Sequence, residues 1–232
     1  MRSSASSAWA LACLLGCAPE LAQASRAEAL AEQLALSDGT TDHVQVAHAL
    51  ESLRAMGRDA APAAETLSAL LAHRSALYSD RDKVQVIRLR GEVMLTLAAI
   101  GWPRSARAAL YDTLAHTDER LNAREVGAAA RAVRTLGPQG HEFAPYLLEA
   151  LSLQLAEEEF SLERYDVEFP REEATTVQLE SVRALAAVAA ASDHEVLRIL
   201  RQWAADSADT AADPRVVQEA RRALETIERG AR

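Results

Sequence analysis

Leu53-Arg54-Ala55-Met56-Gly57 closes a frame that returns four more times in the 232 residues, as Leu97 to Gly101, Val133 to Gly137, Leu185 to Ala189 and Leu224 to Glu228. One column of the frame holds Leu53, Leu97, Val133, Leu185 and Leu224. Three residues on, a second holds Met56, Ile100, Leu136, Val188 and Ile227. The position before the first column is always small: Ser52, Thr96, Ala132, Ala184 and Ala223. Large apolar groups three apart lie on one helical stripe, and a small neighbour lets a second helix come close. The recurrence predicts a repeated helix that packs on its own copies.

Composition points the same way. A chain that is 49% hydrophobic and 25% charged can bury a substantial core as one folded unit. Aromatics at 4%, with Ala and Leu dominating the apolar set, favour close-packed helices over a β-sandwich. The expected fold class is all-α. A net charge of −9 offers no basic face for releasing counterions from nucleic acid, nor one for an anionic membrane surface. There is no Gly-x-Ser-x-Gly elbow, no Gly-rich phosphate loop and no cysteine after Cys17. The residues therefore suggest no enzyme and no cofactor.

Residues 1–24 read as a targeting segment. Arg2 and a Ser-rich start lead into Ala8-Trp9-Ala10-Leu11-Ala12-Cys13-Leu14-Leu15, too short an apolar run to span a bilayer. Two exits are open, beside the plain alternative of a buried N-terminal helix. Leu14-Leu15-Gly16-Cys17 resembles the lipobox of bacterial lipoproteins, which implies lipidation of Cys17, a membrane anchor and a body facing the periplasm. Ala22-Gln23-Ala24 fits small-x-small cleavage before Ser25 and plain export.

From Ser25 to Arg232 the pattern predicts one domain. Ser25-Arg26-Ala27-Glu28 has the form of a capping box opening a helix to about Leu36, with Leu30, Leu34 and Ala35 on its inner side. Helix pairs should follow from about Asp42, Asp82, Asn122 and Thr176, broken at Gly57, Gly101, Gly137 and Ala189. A last single helix is opened by Asp213-Pro214.

The units resemble HEAT repeats and the HEAT-like repeats of bilin lyases, on the strength of Ala49-Leu50-Glu51-Ser52-Leu53-Arg54-Ala55-Met56-Gly57 and Ala129-Ala130-Arg131-Ala132-Val133-Arg134-Thr135-Leu136-Gly137. The resemblance covers nearly all of Asp42 to Arg229. It implies a right-handed α-solenoid of about four and a half helical hairpins, without a sheet, whose second helices line the concave side. Glu65, Arg107, Asp112, Glu149, Arg198 and Gln202 then become surface positions. Ala189 and Glu228 stand where the family has glycine, so the fourth turn should be looser and the last helix should run on.

A repeat scaffold of this kind implies non-enzymatic capture of a protein partner at the bacterial cell envelope. The alternative carried by the resemblance is an enzyme, or a chromophore- or metal-handling protein, of the bilin-lyase or deoxyhypusine-hydroxylase type. The hydroxylases hold iron through several His-Glu pairs. Here His141-Glu142 and His194-Glu195 are the two such pairs, each opening a second helix, where glutamate is favoured by the helix N-terminus without any metal.

Frame spacing is longest between Gly137 and Ala189, which marks an acidic insertion at about 157–175. There Tyr165, Val167 and Phe169 alternate with Asp166 and Glu168, a strand-like period. Phe160, Tyr165 and Phe169 are candidate partner anchors, and Asp166 and Glu168 candidate selectors of a basic partner segment. The competing reading folds these aromatics back over the helices. Trp102 is read either as an exposed recognition aromatic or as a cover for adjacent helix ends, and Trp203 as core.

Overall fold

Aspartates and a threonine set where the repeats begin. Asp42 accepts from the Val44 amide, Asp82 from Gln85 and Thr176 from Leu179. Each side chain thereby meets an amide that the first turn leaves without an internal acceptor. The computed structural model describes residues 22–72, 75–115, 123–153, 156–164, 168–205 and 213–230, and these are mostly helical. In chain order the helices are α1 (22–35), α2 (His43–Met56), α3 (Ala64–Leu70), α4 (Lys83–Ile100), α5 (Arg107–Ala115), α6 (Ala123–Leu136), α7 (Ala144–Ala150), α8 (Val177–Val188), α9 (His194–Ala205) and α10 (Pro214–Gly230). The targeting segment through residue 21, including Cys17, lies outside the described residues, as does the expected cap Asn122.

Gly57, Gly101 and Gly137 end α2, α4 and α6 with φ of 57°, 119° and 55°, a region that side chains with a Cβ avoid. Ala189 cannot do this cheaply. It is extended at φ −74°, and Asp193 closes the turn by accepting from the Ala190 amide at 2.6 Å. The last helix runs past the Glu228 column to Gly230.

The frame explains the core. Leu53, Leu97, Val133 and Leu185 are fully buried, and Leu224, on the last helix, is half-buried. First helices contact their successors in order, α2 on α4, α4 on α6, α6 on α8 and α8 on α10. Second helices pack beside them, α3 on α4, α5 on α6, α7 on α8 and α9 on α10, with α5 also meeting α7 and α7 meeting α9. The connection from first to second helix is itself structured. In two repeats, 3-10 segments Gly57–Ala63 and Gly137–Phe143 pass directly into α3 and α7. Gly57 to Leu71 and Gly137 to Leu151 match position for position in whether each residue is buried, half-buried or exposed.

Two expectations need correcting. Helix α1 is already running at residue 22, so Ser25 lies inside it and opens nothing. Its buried stripe is Ala27, Ala31 and Leu34, with Leu30 half-buried and Ala35 exposed. The chain also contains a short sheet: β1 (Phe160–Ser161) pairs antiparallel with β2 (Ala174–Thr175), Phe160 opposite Thr175. The strand period of the sequence lies at Tyr165 to Phe169, whereas the strands among the described residues flank that stretch. Residues 165–167 lie outside the description, and Glu168 to Pro170 are not strand.

What fixes the insertion is a missing side chain on α6. A Cβ at Gly127 would stand 2.4 Å from the Phe160 Cζ, so the glycine makes room for the ring. We expect Gly127→Ala to cost about 1–3 kcal/mol in urea unfolding, the usual cost of overpacking. In a Phe160→Ala background the same change should be neutral or stabilising, because alanine is the better helix former by roughly 1 kcal/mol. An equal cost in both backgrounds would mean that the ring is not what the glycine accommodates.

Candidate binding groove

The turn after α4 carries Gly101-Trp102-Pro103, a 3-10 turn Arg104–Ala106 follows, and α5 then presents Arg107, Ala108 and Tyr111 on one side. The next repeat supplies Leu136, Gln139 and Glu142. Together these residues line an open groove of about 840 Å³ at the seam between the second and third repeats. Of the ten aromatic residues in the whole sequence, two line the groove, Trp102 and Tyr111, and two more pack on Tyr111. Tyr111 stacks at a tilt on Phe143, ring centres 4.6 Å apart, and meets Tyr146 edge-on at 5.5 Å. Trp102 belongs to the lining and is half-buried.

Arg107 spans the seam, donating from Nη1 to the Glu142 carboxylate at 2.5 Å and to the Gln139 carbonyl at 3.2 Å. Partial desolvation and the neighbouring Glu142 carboxylate push the Tyr111 phenol above its usual range, so Tyr111 stays a neutral hydroxyl. Two donors in the lining lack an acceptor. The Trp102 indole Nε1 is shielded from solvent and unpartnered, and Arg104 is exposed with no ion pair or hydrogen bond among the described residues.

The opposite side of α5 is anchored in a buried polar cluster that sequence reading missed. Arg90 of α4 is 2% exposed. It donates from Nε to Glu125 of α6 at 2.7 Å and from Nη1 to the Leu71 carbonyl, and lies 3.9 Å from Asp112 of α5. Thr113 of α5 donates to the same Glu125 oxygen at 3.2 Å. Burial pushes the Tyr78 phenol well up beside this pair, and its hydroxyl has no partner. A second cluster ties α6 to α8, where the fully buried Glu180 accepts from Arg131 at 3.0 Å, Arg183 at 3.1 Å and Thr175 at 2.9 Å. The available signal was a charged residue inside an apolar run, as in Arg90-Gly91-Glu92-Val93-Met94-Leu95.

The insertion residues come to different ends. Phe160 is 9% exposed and packed within the chain, so its role as a presented anchor is corrected to core packing over Gly127. Glu168 is exposed and Phe169 half-buried, while Tyr165 and Asp166 lie outside the described residues. Several neighbouring acids are engaged internally: Glu163 with Arg131 at 2.6 Å, Glu173 with Arg164 at 3.0 Å, Glu159 with Arg215 at 2.5 Å.

Of the expected second-helix surface positions, Glu65, Glu149, Arg198 and Gln202 are exposed, and Arg107 and Asp112 half-buried. Trp203 is half-buried against the core. The His-Glu pairs point elsewhere than at each other. His141 meets Asp193 at 2.9 Å, Glu142 meets Arg107, and Glu195 lies 3.9 Å from Arg198. Among the described residues no three His, Cys, Asp or Glu side chains gather where they could hold a metal ion, and no helix is long and apolar enough to cross a membrane.

Comparison with family models, with curated proteins and with solved structures finds no match. The groove and the repeat frame therefore carry the functional reading by themselves.

Proposed function

We propose that this chain is a non-enzymatic, HEAT-like scaffold, a right-handed solenoid of four and a half hairpins that captures a segment of a protein partner in the groove at Trp102 and Tyr111. The observation that carries the reading is that Trp102, Tyr111, Arg104 and Arg107 line one groove of an aromatic-poor chain, with Phe143 and Tyr146 packed on Tyr111. Trp, Tyr and Arg are the residues that dominate binding energy at protein interfaces. The ordered stacking of first helices supports the solenoid, since each repeat needs only its neighbours to bury its stripe. We further propose that the protein is exported and held at the membrane by lipid on Cys17. Cleavage after Ala24 with plain export is the alternative.

One experiment tests both parts. A photo-crosslinking residue replaces Ala108 in the groove or, as control, exposed Thr226 on α10. Each is placed in wild-type and Cys17→Ser backgrounds. A discrete adduct from position 108 and not from 226, membrane-bound in the first background and soluble in the second, is the expected result. Equal labelling from both positions would remove the groove, and unchanged fractionation would remove the anchor. Protein that purifies with a stoichiometric metal or chromophore would overturn the scaffold reading itself.

A further inference from the structure

From the donors left open in the groove, and resting on the scaffold reading above, we infer that the captured segment is acidic: an extended stretch with a carboxylate flanked by proline or aliphatic residues. The charges decide the sign. Glu142 is the only acid in the lining, and Arg107 already neutralises it at 2.5 Å. Among the described residues Arg104 is then an unmatched cation, in a protein whose net charge is −9.

Hydrogen bonding gives the same answer independently. Trp102 Nε1–H and the Arg104 guanidinium can only donate, and both lack acceptors. A shielded donor without a partner is unfavourable, so a group that brings oxygens into the groove is selected. A lysine or arginine on the partner would bring more donors and more positive charge. The flanking residues follow from the apolar lining, where Trp102, Tyr111 and Leu136 face the groove and Tyr146 meets Tyr111 edge-on. Aromatic-lined grooves bind proline and aliphatic side chains of extended segments well, because such segments have little freedom to lose. The groove thus asks for the charge opposite to the basic segment that the acidic insertion suggested.

The test uses three fluorescent decapeptides, each with two prolines and a leucine around a central aspartate, serine or lysine, titrated into the purified protein by polarisation. The aspartate peptide should bind about tenfold more tightly than the lysine peptide, a difference that falls with salt. Arg104→Glu, an exposed change that leaves the fold intact by circular dichroism, should reverse the order. Tyr111→Ser should weaken all three. Equal or stronger binding of the lysine peptide, or an order unmoved by Arg104→Glu, overturns the acidic assignment. Failure of all three peptides while Ala108 still crosslinks a partner also overturns it, leaving the scaffold reading in place. Failure of both removes the two together.

Discussion

Glu180→Ala should lower the free energy of unfolding by about 3–5 kcal/mol, the range found when one partner of a buried ion pair is removed. Glu180 has no solvent exposure, so all of its negative charge is balanced by protein groups, Arg131 and Arg183, with Thr175 adding a hydroxyl. Alanine would leave Arg131, three-quarters buried, facing an empty site, with Glu163 its remaining acidic partner among the described residues. It would also cut the tie between α6 and α8 and loosen β2, which reaches α8 through Thr175. Guanidinium midpoints of Glu180→Ala and Glu180→Gln separate charge from shape, since glutamine keeps the volume and loses the charge. A cost below about 1 kcal/mol for the alanine variant would mean that the cluster is not a structural tie.

The same contact sets a pH dependence. Burial alone would raise the Glu180 carboxyl, but hydrogen bonds and charge from Arg131, the charge of Arg183 and the Thr175 hydroxyl outweigh it and hold the group below the ordinary glutamate value of 4.5. A carboxyl lowered on folding contributes stability in full above its unfolded value and loses it as pH falls through the folded one. Wild-type stability should therefore drop more steeply below pH 4.5 than that of Glu180→Gln.

Arg90→Ala is the second large effect, again about 3–5 kcal/mol, because it strands the buried Glu125 carboxylate. The damage should not stop at stability. Thr113 and Asp112 place α5 on this cluster, and α5 carries Arg107 and Tyr111 on its other side. Peptide binding should weaken even where Arg90→Ala is still folded. The double change Arg90→Met with Glu125→Leu removes both charges together and should recover most of the loss. Tyr78→Phe deletes a hydroxyl without a partner and should be neutral or slightly stabilising. If the double variant is no better than Arg90→Ala, the loss comes from packing and not from a stranded charge.

The starts of α2, α4 and α8, the three glycine turns, the looser fourth turn and most of the buried columns were legible because each is set by residues within a few positions of one another, whereas the start of α1 was misread at Ser25. Asp42, Asp82 and Thr176 cap through amides two or three residues ahead, and Gly57, Gly101 and Gly137 answer a local backbone requirement. The groove was only half legible. Trp102 and Arg107 could be singled out, but Arg107 acquires Glu142 from the next repeat, a contact no local pattern specifies. The buried charges escaped for the same reason: Arg90 with Glu125, and Arg131 with Glu180, are pairs distant in sequence. Phe160 was misplaced because its destination depends on a glycine in α6, and a gap in a helix surface leaves no trace in hydrophobic periodicity.

The position-for-position match of Gly57 to Leu71 with Gly137 to Leu151 separates two alphabets within one segment. Inward letters all stay apolar: Ala60 and Gly140, Ala64 and Ala144, Leu67 and Leu147, Leu71 and Leu151 are close matches, while Ala63 against Phe143 and Leu70 against Ala150 change size. Outward letters have drifted freely, Arg58 against Pro138, Asp59 against Gln139, Pro62 against Glu142. Gln139 and Glu142 belong to the groove, so its chemistry is written in the letters that folding does not read. Such a chain can change its ligand by exchanging solvent-facing residues while its architecture stays put.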